Sequence, residues 1–406
     1  MINVIGLGYI GLPTALMLAK SGVQVVGSDY NEALIKRLTE GKLSFEEKGL
    51  ESLFKEAINK GIKFTTKYQA TDMYIVAVPT PYMNASKKLD PKYVLSAVNS
   101  ILDICKQGAI IIIESTISPG TINKYVKPEI EKRGFILGEE VHLAHAPERI
   151  IPGNMIYELE HNSRTIGVDD FEIGEKVKTL YAKFCLGEIV VTDIRSAEMS
   201  KVVENTYRDI NIAFANELAK ICRTDNMDVY EIIRIANKHP RVNILQPGPG
   251  VGGHCISVDP WFLVGDYPDL TRLILTARKI NDSMPTHVLG RIRDIMREHN
   301  IRDITKVGIY GLTYKENVDD TRESPTLQLL KRMDEHLAFG VKVYDPFIKQ
   351  EIVENQVFDF KQFINELEIL VIMVAHDHIK ENIALIKNKL ILDTKNICHF
   401  EGVYKL

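Results

Sequence analysis

Three observations predict an α/β protein of two doubly wound domains joined by a long central helix. A strand, a glycine-rich turn and a helix open the chain, and a second strand-turn-helix unit starts at Lys306. Between them, Ser196 to Cys222 runs without glycine or proline, the composition of one long helix. Continuous apolar runs such as "AIIII" fit parallel strands buried on both faces. A length of 406 residues accommodates two or three domains, and the reading places them at 1–192, 193–298 and 299–406.

Composition narrows the class. Hydrophobic residues at 45% and charged residues at 26% describe an ordinary globular protein. A formal charge of −4 gives no strong field for nucleic acid or an anionic membrane, so neither partner is expected. The longest apolar stretch, Leu367 to Ala375, contains Glu368 and is too short to span a bilayer. The N-terminus lacks the features of a secretory signal, and the cytoplasm is the expected location. Cysteines 105, 185, 222, 255 and 398 form no CxxC pair and are odd in number, so neither a disulfide framework nor a metal site is expected.

In the first unit, Ile2–Ile5 reads as a strand that breaks into Gly6, Gly8 and Gly11 and then a helix through Ala19. "VQVVGSD" follows as a strand ending in Asp29, eighteen residues past Gly11. That context makes the glycines a Rossmann dinucleotide fingerprint: Gly6 for the tight turn, Gly8 for close approach of the pyrophosphate, Gly11 for packing of helix on strand. Tyr9 and Ile10 open the helix whose N-terminus meets the phosphates. Asp29 accepts hydrogen bonds from a ribose and repels a 2′-phosphate, so the expected cofactor is NAD. Strands at Met73–Pro81 and Ala109–Thr116 end at Pro79, Thr80, Ser115 and Thr116, each of which reads either as a cofactor contact or as a helix cap.

On the long helix, Lys201, Asn205 and Arg208 share one face, while Val203, Ile210, Ala213 and Phe214 point elsewhere and are expected to pack between domains. Alone, Lys201 reads equally as a solvated cation. The stretch "PGPGVGGHCISVDPW" then crowds glycine and proline around Cys255. Gly250 and Gly252 let backbone lie close to a ligand, and Pro247 and Pro249 limit the loop's freedom. His254 is expected to pack locally rather than catalyse. In "KVGIYGLTYKENVDDTRESP" a strand leads to a helix with Pro325 in its first turn, and "VKVYDP", "LEILVIMVA" and "KLILDTKN" follow as buried strands. This second Rossmann-like domain lacks a dinucleotide fingerprint, and its charged loop with Lys315, Asp319, Asp320 and Arg322 reads either as solvated or as part of a cleft.

Seven stretches, in order "GLGYIGLP", "VPTP", "ESTISPGT", "APER", "AEMSKVVENTYRDINIAFANEL", "GPGVGGHCISVDP" and "GLTYKENVDDTRESP", resemble the UDP-glucose/GDP-mannose dehydrogenase family. The resemblance implies oxidation of a UDP-sugar C6 hydroxymethyl to a carboxylate with two NAD reduced in turn. It implies a thiohemiacetal and then a thioester on Cys255, with Lys201 and Asn205 stabilising the oxyanion and Asp259 acting as a nearby acid. Glu148 and Thr116 would orient the hydrolytic water, Arg149 and Lys315 would reach the substrate, and Arg322 the cofactor. Arg241 would approach the substrate of the partner subunit in a homodimer, and Arg208 would read a 2-acetamido group. Within the family the motifs are most similar to the branch that oxidises UDP-N-acetylmannosamine for polysaccharide or capsule synthesis; UDP-N-acetylglucosamine and UDP-glucose are the alternatives. Ser257 replaces the family's usual proline two residues past the nucleophile. Two other readings of the same residues are a one-step β-hydroxyacid-type dehydrogenase and an NAD-bound redox sensor switched at Cys255.

Overall fold

The computed structural model describes residues 1–253, 255–336 and 338–406, so the expectation for His254 lies outside the described residues. The chain divides into two units, Met1–Glu204 and Asn205–Leu406. Its apolar runs become the centres of two sheets, one in each unit.

The first sheet has eight strands: β1 (Ile2–Ile5), β2 (Val25–Ser28), β3 (Lys63–Thr65), β4 (Met73–Val76), β5 (Ala109–Ile113), β6 (Val141–His145), β7 (Arg164–Val168) and β8 (Ile189–Thr192). Their order is β3-β2-β1-β4-β5-β6-β7-β8, and the first six follow the doubly wound dinucleotide-binding order. Pairing is parallel except between β6 and β7, where Ala144 lies opposite Val168. Register aligns the carboxyl ends. Ile5 sits opposite Ser28 and Val76, Val76 opposite Ile113, and Ile113 opposite His145. The helix Gly11–Lys20 is buried everywhere but at Lys20, because it packs between the sheet and a second layer of helices.

The second sheet contains β9 (Val307–Tyr310), β10 (Lys342–Tyr344), β11 (Ile369–Ile372), β12 (Leu390–Asp393) and β13 (Val403–Lys405). All pairs are parallel, in the order β10-β9-β11-β12-β13, so strands are added first on one side of β9 and then on the other. Alternation covers both faces. Val307, Ile309, Ile369 and Val371 pack with Met284, Val288 and Ile292 of the helix Arg272–Glu298. Tyr310, Leu370 and Ile372 pack on the other side with Phe363, Ile379 and Ile386. Both sheets are therefore doubly wound α/β, as the sequence predicts.

The connecting helix runs from Ile194 to Thr224, two residues beyond the predicted span at each end. Asp193 caps it: its carboxylate accepts from the Ser196 backbone N–H at 2.9 Å and from the Ser196 hydroxyl at 2.6 Å. Two apolar residues expected to pack between domains, Val203 and Phe214, are instead exposed. Among the described residues, no helix is long and apolar enough to cross a membrane.

Candidate active site

The predicted residues of the first unit gather past one sheet edge. Gly6 and Gly8 follow β1, Asp29 follows β2, Pro79 and Thr80 follow β4, Ser115 and Thr116 follow β5, and Glu148 and Arg149 follow β6. This is the carboxyl edge at the switch between β1 and β4, where ligands of such sheets bind. Gly6 has φ +88°, and a Cβ there would lie 2.4 Å from the Ala77 carbonyl oxygen. A Cβ on Gly11 would lie 1.9 Å from the Gly6 oxygen. At Gly8 a Cβ would meet no protein atom within 4 Å. Only Gly8 thus leaves open space for something other than protein, which fits a pyrophosphate at the N-terminus of the Gly11 helix. Asp29 accepts from the backbone N–H of Leu7 and of Asn31, each at 2.9 Å, which fixes its carboxylate at the end of β2. Tyr9 and Ile10 are half-buried at the helix start, and Tyr9 lies 4.4 Å from Phe45 between ring centroids.

Ser115 donates its hydroxyl to the Val78 carbonyl at 2.7 Å and so ties the β5 end to the β4 end, beside buried Thr80 and exposed Pro79. Thr116 is half-buried. Glu198, a residue the sequence did not single out, receives the backbone N–H of Gly120 at 2.5 Å and of Ile122 at 2.9 Å. It holds the segment after Thr116 to the connecting helix, and burial pushes its carboxyl up to about 7 against those two donors. Glu148 is buried and bound to Arg164, while one of its oxygens accepts from the Arg149 N–H at 2.7 Å. Arg149 turns its guanidinium to Ser163, Thr165 and Glu204, so its cation is held by protein groups.

Lys201 settles one open alternative. Only 5% exposed, it is no solvated cation, and it makes no ion pair with any described residue. One turn along the same helix, Asn205 is also buried.

In the second unit, the Asn205 amide donates to Asp259 Oδ2 at 2.6 Å. Two predicted residues 54 positions apart thus meet in a buried pair. Asp259 opens the helix Asp259–Asp266, and the Cys255 carbonyl accepts from the Val258 N–H at 3.1 Å and the Asp259 N–H at 2.9 Å. Cys255 therefore stands one turn before that helix, exposed. All five cysteines are thiols. The glycines before it pack on the loop after β9. A Cβ on Gly252 would lie 2.7 Å from both the Glu323 oxygen and Tyr314 Cβ, and one on Gly253, at φ +81°, 2.7 Å from the Tyr314 ring. At Gly250, φ +142°, it would meet Pro325 at 3.1 Å. The Gly253 N–H donates to the Arg322 carbonyl at 3.0 Å. Sequence reasoning gives Gly250 and Gly252 to substrate approach; the space beside their α-carbons is filled by protein.

That contrast yields a prediction. Gly252→Ala is expected to destabilise by about 1–3 kcal/mol through overpacking, read as a lower Tm. Gly8→Ala is expected to keep the Tm and weaken NAD binding, read by titration. Equal Tm values for the two variants would sink the packing account.

The loop carrying Lys315 is fixed by a buried pair that the sequence did not reveal. Asp345 Oδ2 accepts from the Leu312 N–H at 2.6 Å, the Thr313 N–H at 3.2 Å and His376 Nε2 at 3.2 Å. His376 Nδ1 accepts from the Asn317 N–H at 2.9 Å, so the ring carries its proton on Nε2. Burial raises the Asp345 carboxyl, but His376 and the backbone donors hold it below the ordinary value. Lys315 is half-buried. Arg322 is clasped by both oxygens of buried Asp320, at 2.6–3.1 Å. Arg208 is half-buried on the connecting helix and Arg241 is exposed.

Known proteins match nearly the whole chain in sequence and in fold. Residues 1–185 match the NAD binding domain of the UDP-glucose/GDP-mannose dehydrogenase family, 195–283 its central domain and 308–400 its UDP binding domain. A UDP-N-acetyl-D-mannosamine dehydrogenase of Methanocaldococcus jannaschii is 46% identical, covering 98% of this chain and 93% of that protein. An NDP-N-acetyl-D-galactosaminuronic acid dehydrogenase of Ralstonia nicotianae is 37% identical, covering 98% and 96%. The structure of the UDP-N-acetyl-mannosamine dehydrogenase Cap5O of Staphylococcus aureus superposes with a TM-score of 0.89 at 43% identity, covering 100% and 98%.

Proposed function

The chain belongs to the UDP-glucose/GDP-mannose dehydrogenase family, and on that premise we propose that it oxidises UDP-N-acetylmannosamine at C6 to the uronate, as an NAD-dependent enzyme. The observation that carries the catalytic assignment is the buried Asn205–Asp259 hydrogen bond, which holds the Asn205 amide on an acid one turn past exposed Cys255 in the chain. Bound NAD⁺ supplies the hydride acceptor for each of the two oxidations.

A free aldehyde needs an added nucleophile before it can lose a second hydride. The Cys255 sulfur bonds to the aldehyde carbon, and the oxygen that gains the electron pair is met by the Lys201 ammonium and the Asn205 amide. Loss of hydride from this thiohemiacetal leaves a thioester. Water, oriented by Glu148 and Thr116, then adds its oxygen to the thioester carbon, and the C–S bond breaks to return Cys255. Asp259 receives the Asn205 amide and fixes its direction. Gly6, Gly8, Gly11, Tyr9, Ile10, Asp29, Pro79, Thr80, Ser115, Thr116 and Arg322 serve the cofactor; Arg149, Arg208 and Lys315 serve the sugar nucleotide, while Gly250 and Gly252 let the loop that carries Cys255 pack against Pro325 and Tyr314. We divide the chain functionally at 1–192, 193–298 and 299–406.

The working form is a homodimer in the cytoplasm. Tyr207, Phe214 and Ile221 recur every seven residues on one face of the connecting helix and are 61%, 48% and 55% exposed, an apolar stripe that a second copy would cover. Exposed Arg241 is available to a partner's substrate.

The test is NADH formed per UDP-N-acetylmannosamine consumed, with UDP-N-acetylglucosamine, UDP-N-acetylgalactosamine and UDP-glucose alongside. Two equivalents with the first sugar are expected. Two with another sugar would move the substrate, one equivalent would mean a single-step dehydrogenase, and none with NAD bound would favour a sensor.

A further inference from the structure

Glu148 does not stand alone in the first unit. Arg164, the first residue of β7, is 3% exposed and spans two carboxylates. Its Nη2 donates to Glu148 Oε2, and its Nη1 lies 3.4 Å from Glu114 Oε1. The Tyr181 hydroxyl donates to the same Glu114 oxygen at 3.0 Å. The guanidinium also stacks on the Tyr181 ring, 4.4 Å from its centroid, with the Phe184 ring at 5.3 Å, so it is fixed in direction as well as place. The charged and titratable groups around this cluster are Arg164, Glu114, Tyr181, Cys185 and Arg149, and the Arg149 guanidinium is paired with Glu204.

Two buried carboxylates therefore share one buried guanidinium. With both ionised the cluster would carry a net negative charge out of water, so a proton is retained on one of them. Geometry says which. Glu148 has the direct guanidinium contact and a backbone N–H; Glu114 has the longer contact, and its second oxygen, beside the Thr14 hydroxyl, is buried without a partner at hydrogen-bond geometry among the described residues. Burial pushes the Glu114 carboxyl up, Arg164 draws it down and Glu148 raises it again, to about 7.

We propose that Arg164 is a positioning residue that holds the Glu148 carboxylate in its direction, and that Glu114, by competing for the same guanidinium, tightens or loosens that hold. The inference rests on the proposed role of Glu148 at the hydrolytic water. In that step the water oxygen bonds to the thioester carbon, one water proton passes to Glu148, and the C–S bond breaks with its electron pair staying on the Cys255 sulfur. A protonated Glu114 leaves Arg164 to Glu148 and holds that carboxylate firmly; an ionised Glu114 competes for the guanidinium and loosens the hold.

The experiment is the pH dependence of kcat for uronate formation by the full-length enzyme with saturating NAD⁺ and UDP-N-acetylmannosamine. Glu114→Gln keeps an acceptor for Tyr181 but cannot ionise, so the inflection of kcat near pH 7 that ionisation of Glu114 imposes on the parent enzyme disappears. Arg164→Met lowers kcat far more than it changes KM, and Arg164→Lys, which keeps the charge, restores kcat in part. Should Arg164→Met fail to fold, Glu114→Gln still decides, because a merely structural role leaves the inflection in place. An unchanged inflection in folded Glu114→Gln, with Glu148→Gln inactive, overturns the assignment of Arg164 and Glu114 alone. Full activity in Glu148→Gln overturns the role of Glu148 and this inference with it.

Discussion

Replacing Cys255 by serine is expected to stop the enzyme between its two oxidations. Uronate formation should fall on the order of 10³-fold or more, as for loss of a covalent nucleophile elsewhere. The first oxidation should still be visible as at most one NADH per sugar, with aldehyde trapped by a hydrazine. The physical reason is the difference between a thiol and a hydroxyl. A thiol ionises near pH 8.5, whereas a serine hydroxyl is a poor nucleophile unless a base takes its proton. The substitution leaves the loop intact, because the hydrogen bonds that shape it use the backbone: the Cys255 carbonyl accepts from Val258 and Asp259, and the Gly253 N–H donates to Arg322. NAD affinity should be unchanged, since Gly8 and Asp29 belong to the other unit. Two equivalents of NADH from the serine variant would remove Cys255 from the mechanism.

The first sheet was legible where local chemistry was unambiguous. Strands β1, β2, β4 and β5 are short, mostly apolar and almost wholly buried, and the glycines between β1 and its helix have no other economical reading. Strands β6, β7 and β8 were not foreseen. The first carries His142 and His145, the second begins with an arginine, and the third has only three aliphatic residues, Ile189 to Val191, between charged and polar neighbours, so none shows the long apolar run of a buried parallel strand. Buried Arg164 could not be read locally either, because its partners Glu114, Glu148 and Tyr181 come from three other segments.

The same limit applies in the second unit. Glycines at 252 and 253 announce a close approach, but only the fold shows that Tyr314, some sixty positions on, is what approaches. Asp345 and His376 each sit just past a strand end, yet their pairing depends on β10 and β11 flanking β9. Long-range partners are set by topology, and a single sequence carries that information only through elements already placed.

Lys201→Met is the second large effect, and its value lies in two readouts that should move in opposite directions. Removing a positive charge from the site of a developing oxyanion is expected to lower kcat by about 10²–10³-fold. Yet a buried ammonium without an ion pair among the described residues is unfavourable in the resting protein, since it has left water with no opposite charge to meet. Methionine has similar length and no charge, so stability should rise by about 1–2 kcal/mol, read as a higher Tm. Asn205→Ala provides the contrast. It leaves the buried Asp259 carboxylate without its 2.6 Å donor, so activity and Tm should fall together. If Lys201→Met instead lost stability along with activity, Lys201 would be a structural residue of the helix, and the oxyanion role would have to pass to Asn205 alone.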